Sequence, residues 1–94
     1  MAVVIWSQRS KKDLGLIRNF IAEDSKYYAD AFIKKLIKST VILESYPEIG
    51  KPVPEYDRNA RQLIYKNYRL LYEYSNMQVE ILTVIHTKKQ FINP

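Results

Sequence analysis

Arg61–Lys89, RQLIYKNYRLLYEYSNMQVEILTVIHTKK, is the stretch on which the fold turns. Leucine, isoleucine, valine and tyrosine dominate it, and these residues suit a pleated, half-buried surface. Lys66-Asn67 and Asn76-Met77 divide it into three short runs, as two-residue hairpin turns would. Turns at those positions pair Tyr65 with Tyr68 and Ser75 with Gln78. Counting outward places Leu63, Tyr65, Tyr68, Leu70, Tyr72, Tyr74, Val79, Ile81, Thr83 and Ile85 on one mostly apolar face. Gln62, Ile64, Arg69, Leu71, Glu73, Glu80, Leu82, Val84 and His86 fall on the other. On this count Arg69 and His86 are diagonal neighbours, close enough to act on one ligand.

The same region carries the charge. Between Arg58 and Pro94 there are six cations, Arg58, Arg61, Lys66, Arg69, Lys88 and Lys89, against Glu73 and Glu80. The residues before Arg58 are nearly balanced, with nine basic side chains against eight acidic ones. A small sheet holding most of a net charge of +5 suits an anionic partner, either nucleic acid or an acidic protein segment. Arg61, Arg69, Lys88 and Lys89 are the candidate contacts to such a target.

A chain of 94 residues that is 47% apolar is expected to form one globular domain, residues 1–94. It has no cysteine and one histidine, which removes disulfides, thiolate metal sites and a structural zinc; no metal or cofactor is expected. Two glycines, Gly15 and Gly50, cannot build a glycine-rich phosphate loop. The start, MAVVIWSQRS, lacks the charged and apolar regions of a signal peptide. No apolar run is long enough to span a bilayer. The expectation is a cytoplasmic protein with no membrane partner.

Upstream of the strands, Val3-Val4-Ile5-Trp6 predicts a short strand buried on both faces. Ser7 offers an N-cap, and Leu14, Ile17, Phe20 and Ile21 at helical spacing predict a helix over residues 8–23. Asp24 or Ser25 can cap a second helix whose stripe is Ala29, Phe32, Ile33, Leu36, Ile37, Thr40 and Leu43. The short connection makes the two helices an antiparallel hairpin that needs a sheet beneath it. Tyr46–Asn59, YPEIGKPVPEYDRN, reads as a loop whose three prolines and Gly50 exclude both helix and ladder. The expected fold is α+β, ordered β-α-α-β-β-β, with the helical hairpin on one face of a small, mainly antiparallel sheet.

Two chemistries fit these residues. Metal-free cleavage of RNA needs a base, an acid and a cation for the phosphorane. His86 titrates in the right range, Arg69 can grip a phosphate bidentately, and Lys88 or Lys89 can assist. A lone histidine at a strand end is more commonly a surface or capping residue, which leaves a purely binding role open. The eight tyrosines divide similarly. Tyr68, Tyr72 and Tyr74 recur at period two on the core face, whereas Tyr46 and Tyr56 in the proline loop are better candidates for contact with a partner.

The order and spacing of several words resemble the RelE/ParE superfamily of toxins from type II toxin–antitoxin pairs. The words are Ile5-Trp6-Ser7, Asp13-Leu14 with Ile17, Ala31-Phe32, Leu43, and Pro47 through Glu55. They continue with Arg61-Gln62-Leu63, Tyr68 through Tyr72, Ile81 through His86, and Lys88-Lys89. The resemblance covers nearly the whole chain and implies growth arrest when antitoxin is absent, with no cofactor. RelE-like members cut mRNA in the ribosomal A site; ParE-like members inhibit DNA gyrase. Arg69 matches the arginine that RelE-type enzymes place on the scissile phosphate, and His86 matches a histidine of the YoeB type. Ala60 and Gln62 stand where RelE has lysines, Thr87 stands where the YoeB type has tyrosine, and the tail lacks a stacking tyrosine. The loop Gly50 through Glu55 and the ending His86-Thr87-Lys88-Lys89 look closer to ParE. The resemblance therefore implies a ParE-like binding toxin of plasmid-stabilisation type, neutralised by a small antitoxin protein with an extended, acidic C-terminal segment. An mRNA endonuclease using Arg69 and His86 is the alternative, and a non-toxic member kept for antitoxin binding or autoregulation is a third.

Overall fold

The computed structural model describes residues 1–88. It contains a five-stranded mixed sheet with spatial order β1-β5-β4-β3-β2, where β1 is Val3–Trp6, β2 Lys51–Pro52, β3 Ala60–Tyr65, β4 Tyr68–Ser75 and β5 Gln78–His86. Helices α1 (Gln8–Ala22) and α2 (Lys26–Lys38) pack on one face of it, and a four-residue helix α3 (Ile42–Ser45) follows. The architecture is the expected helical hairpin on a small sheet.

Both long helices, α1 and α2, start where a hydroxyl can satisfy their first amides. Ser7 Oγ accepts from the Ser10 N–H at 3.0 Å, and Ser25 Oγ accepts from the Tyr28 N–H at 3.1 Å. Arg18 on α1 meets Asp30 on α2 at 3.0 Å, as antiparallel helices require. Between hairpin and sheet lie Ile17, Phe32, Leu36, Leu43, Leu70, Tyr72, Val79, Ile81 and Val84, all buried. This core puts the apolar period of two on the strands against the period of 3.6 on the helices.

Four expectations change. The second helix does not run on to Leu43, because the Ser39 and Thr40 hydroxyls donate to the Leu36 and Ile37 carbonyls and end it. α3 then restores Leu43 to the core, while Ile37 turns outward. β1 is not buried on both faces: Val3 and Ile5 are 61% and 37% exposed, since it is an edge strand with helices on one side only. Phe20, assigned to the α1 stripe, is 67% exposed. Finally, Lys51-Pro52 joins the ladder, Lys51 opposite Gln62 and Pro52 opposite Arg61. Proline is tolerated there because an edge strand needs donors on only one side.

Both hairpin turns fall as expected, with Tyr65 opposite Tyr68 and Ser75 opposite Gln78. The β4–β5 ladder nevertheless contains a bulge. Tyr72 pairs with Ile81, but Leu71 pairs with Thr83, leaving Leu82 without a partner. Past this point the faces of β5 exchange relative to a regular count. Val84 and His86 turn toward the helices, and Ile85 stands opposite Arg69.

Asn76 and Met77 both adopt positive φ, 51° and 61°. A two-residue turn of this hand suits the strand twist, but glycine takes the second position without the steric penalty of a side chain. Met77→Gly is expected to raise stability by about 1 kcal/mol, read as a higher urea midpoint at unchanged slope.

Candidate functional site

Arg61 projects from β3 opposite Tyr72, on the side of the sheet where the proline loop returns. One guanidinium nitrogen donates to the carbonyls of Glu48 and Gly50, at 3.0 and 2.9 Å, and the other lies 3.8 Å from the Glu48 carboxylate. The Gly50 N–H in turn donates to the buried Tyr72 hydroxyl at 2.8 Å. Burial pushes the Tyr72 phenol above its usual range, which keeps it protonated. Gly50 is needed for this approach: a Cβ there would stand 2.5 Å from the Tyr72 oxygen and 2.8 Å from the Gln62 carbonyl oxygen. Arg61 thus acts first as a clamp on its own chain.

Arg69 lies on the face away from the helices, where its Nε donates to Gln62 Oε1 at 2.9 Å. Beside it, the loop after β2 folds Val53 and Tyr56 over Ala60, Leu71 and Leu82 to form a second apolar cluster. The loop is held by backbone bonds from Val53 N–H to Ala60 and from Ala60 N–H to Asp57, each 2.9 Å. This face is therefore partly covered. Tyr56 packs into that cover, whereas Tyr46 remains exposed.

His86 does not share that face, contrary to the regular count, because the bulge at Leu82 reverses the end of β5. It stands opposite Tyr68, the ring centroids 5.5 Å apart and edge-on. Its Nδ1 accepts the Lys88 N–H at 3.2 Å, which leaves Nε2 as the donor of the neutral ring. The imidazole lines a cleft of about 460 Å³ with Arg9, Asp13, Leu16, Ile17, Phe20 and Tyr68. Burial raises the Tyr68 phenol as well. Lys88 follows in an exposed turn, and Lys89 lies outside the described residues.

Sequence reasoning missed the cleft wall formed by Arg9, Leu16 and Phe20. The available signal was the i, i+4 spacing of Leu16 and Phe20, which forms a second apolar line beside the Leu14, Ile17 and Ile21 stripe. Among the described residues no cluster of three or more histidine and acidic side chains could hold a metal ion.

The family model for the ParE toxin of the type II toxin–antitoxin system parDE matches residues 4–91. The chain belongs to the ParE toxin family. Among curated proteins none is significantly similar. The fold resembles a chain of the chromosomal ParDE system from P. aeruginosa, at TM-score 0.79 and 15% identity over 92% of this chain and 96% of that one. It also resembles a chain of the RelBE2 toxin–antitoxin complex from Mycobacterium tuberculosis, at TM-score 0.67 and 21% identity over 90% and 96%. These likenesses establish the fold.

In this ParE-family chain the Arg69 face also carries acids. Glu73 lies opposite Glu80 across the β4–β5 ladder. Burial raises the Glu73 carboxyl above its ordinary range, with Asp57 and Glu80 adding repulsion. A raised folded pKa means that the group's favourable contribution is complete below the unfolded pKa and disappears as pH rises through the folded one. At neutral pH the ionised Glu73 therefore weakens the fold.

Two outcomes are expected. Gly50→Ala crowds Tyr72 and should cost about 1–3 kcal/mol, while Tyr72→Phe leaves the Gly50 N–H unmatched at a similar cost, both read from urea midpoints. Glu73→Gln should stabilise the protein by roughly 0.5 kcal/mol at neutral pH. That gain should vanish below about pH 4, where the wild-type carboxyl is protonated in both states.

Proposed function

We propose that this chain arrests growth by binding and inhibiting DNA gyrase, acting in the cytoplasm, and that a protein antitoxin neutralises it. Membership of the ParE toxin family supports the toxin role. The observation that favours binding over RNA cleavage is the separation of Arg69 and His86. A phosphate clamp and an acid–base group must converge on one scissile bond. Here Arg69 is on the loop-covered face with Gln62, and His86 is in the α1 cleft with Tyr68.

The antitoxin reading draws on charge and exposed apolar surface. The net charge is +5, and Leu16, Phe20, Tyr27 and Tyr28 are all largely exposed on the helical hairpin. An acidic amphipathic segment complements such a surface, and its charge would speed the encounter. The ParDE and RelBE2 structures come from toxin–antitoxin systems, in keeping with a partner of this kind.

Supercoiling of relaxed plasmid by purified gyrase should be inhibited by the purified chain at micromolar concentration. In a reconstituted translation reaction, primer extension should show intact message. New ribosome-dependent message ends with undisturbed supercoiling would overturn the proposal in favour of a nuclease. No effect in either assay, together with normal growth on expression without antitoxin, would indicate a retained antitoxin-binding or autoregulatory member.

A further inference from the structure

The apolar pattern of β5 does not choose its own register beyond Ile81. Continuing the Tyr72–Ile81 pairing regularly would place Leu82 opposite Leu71, Thr83 opposite Leu70, Val84 opposite Arg69 and Ile85 opposite Tyr68. Ile85 would then turn toward the helices in place of Val84, an exchange of one branched aliphatic for another. His86 would fall on the face of Arg69. The observed strand instead skips Leu82 and pairs Leu70 with Val84, Arg69 with Ile85 and Tyr68 with His86.

A bulge exposes backbone groups that a regular ladder would use, and buried ones must find other partners. Two of them are met from α1 and its cap. The Ser7 hydroxyl donates to the Leu82 carbonyl at 2.9 Å. One oxygen of the Asp13 carboxylate accepts the Val84 N–H at 3.0 Å and the Thr83 hydroxyl at 2.7 Å. Bonds to an ionised acceptor are stronger than neutral ones. Ser10 Oγ donates to the Ser7 carbonyl at 2.8 Å and lies 3.1 Å from the Ser7 hydroxyl, a longer second acceptor beside the Leu82 carbonyl. Leu82 itself packs in the second cluster against Leu71 and Val53.

We propose that Asp13, assisted by Ser7, is the positioning residue that fixes the register of β5 and so decides which side of the sheet receives His86. With the carboxylate in place, His86 is delivered to the cleft beside Tyr68. Without it, the end of β5 slips by one residue and His86 joins Arg69 on the opposite face. Asp13 acts on the arrangement of the two candidate residues, and this holds whatever molecule the toxin targets.

Proton NMR of the full chain tests this through contacts across β4 and β5. Wild type should show the Tyr68–His86 ring contact, an Arg69–Ile85 cross-strand contact and a slowly exchanging Val84 amide. Asp13→Ala should lose all three and gain an Arg69–Val84 contact, with Tyr74–Val79 unchanged. Asp13→Asn, which keeps an acceptor, should restore the wild-type contacts. Deleting Leu82 makes the observed register continuous, so in that background Asp13→Ala should keep the Tyr68–His86 contact. That double variant decides the matter if Asp13→Ala alone fails to fold. Wild-type contacts in Asp13→Ala with only a lower melting temperature would overturn the proposal. An Asp13→Ala variant that unfolds even with Leu82 deleted would do so as well, by making the carboxylate a matter of stability and not of register.

Discussion

Every other element of this molecule is placed by the antiparallel pairing of β4 with β5. β1 adds to the outer side of β5 in parallel, β3 and β2 extend from β4, and both helices lie across the apolar face that the pair presents. Leu70, Tyr72, Val79 and Ile81, all fully buried, come from these two strands. The alternation of side chains along a strand makes such a centre sensitive to register, since one skipped residue carries everything beyond it to the other face. The bulge at Leu82 is that skipped residue. It divides β5 into a half that continues the hairpin count and a half that answers to α1.

The far edge of the sheet is governed by a different contact. Gly50, Tyr72 and Arg61 interlock so that the proline loop is pulled onto the edge of β3, where Lys51-Pro52 completes the sheet. The loop then continues over Ala60, Leu71 and Leu82, giving the second face a small core of its own. One consequence concerns charge. Arg61, part of the basic excess, is directed into the fold, and Glu73 and Glu80 oppose each other near Arg69. The Arg69 face is thus neither open nor uniformly basic.

What remains outward is mixed in character. The α1 cleft combines the cation of Arg9 with His86, Tyr68 and the exposed side chains of Leu16 and Phe20. Asp13 lines the same cleft, but its carboxylate is engaged by β5. Apolar walls with a few polar groups suit the recognition of another polypeptide. That character accords with the binding role proposed above for this chain.

The local features of the fold were determined by the sequence. Ser7 and Ser25 cap helices because a hydroxyl at that position meets orphan amides, and both hairpin turns sit where Lys66-Asn67 and Asn76-Met77 interrupt the apolar alternation. Periodicity likewise identified Phe32, Leu36, Tyr72 and Ile81 as core residues, since burial of one face is written at fixed spacing. Family membership was legible too, through the order of short words along the chain. The site was less so. The pairing of Lys51-Pro52, the outward turn of Phe20 and the placement of His86 each depend on residues distant in sequence. No pattern within β5 shows that Ser7 and Asp13, some 70 residues earlier, supply the bonds that make a bulge affordable. Local sequence sets which faces can be buried, but only the packing of α1 against β5 decides where the count of faces is broken.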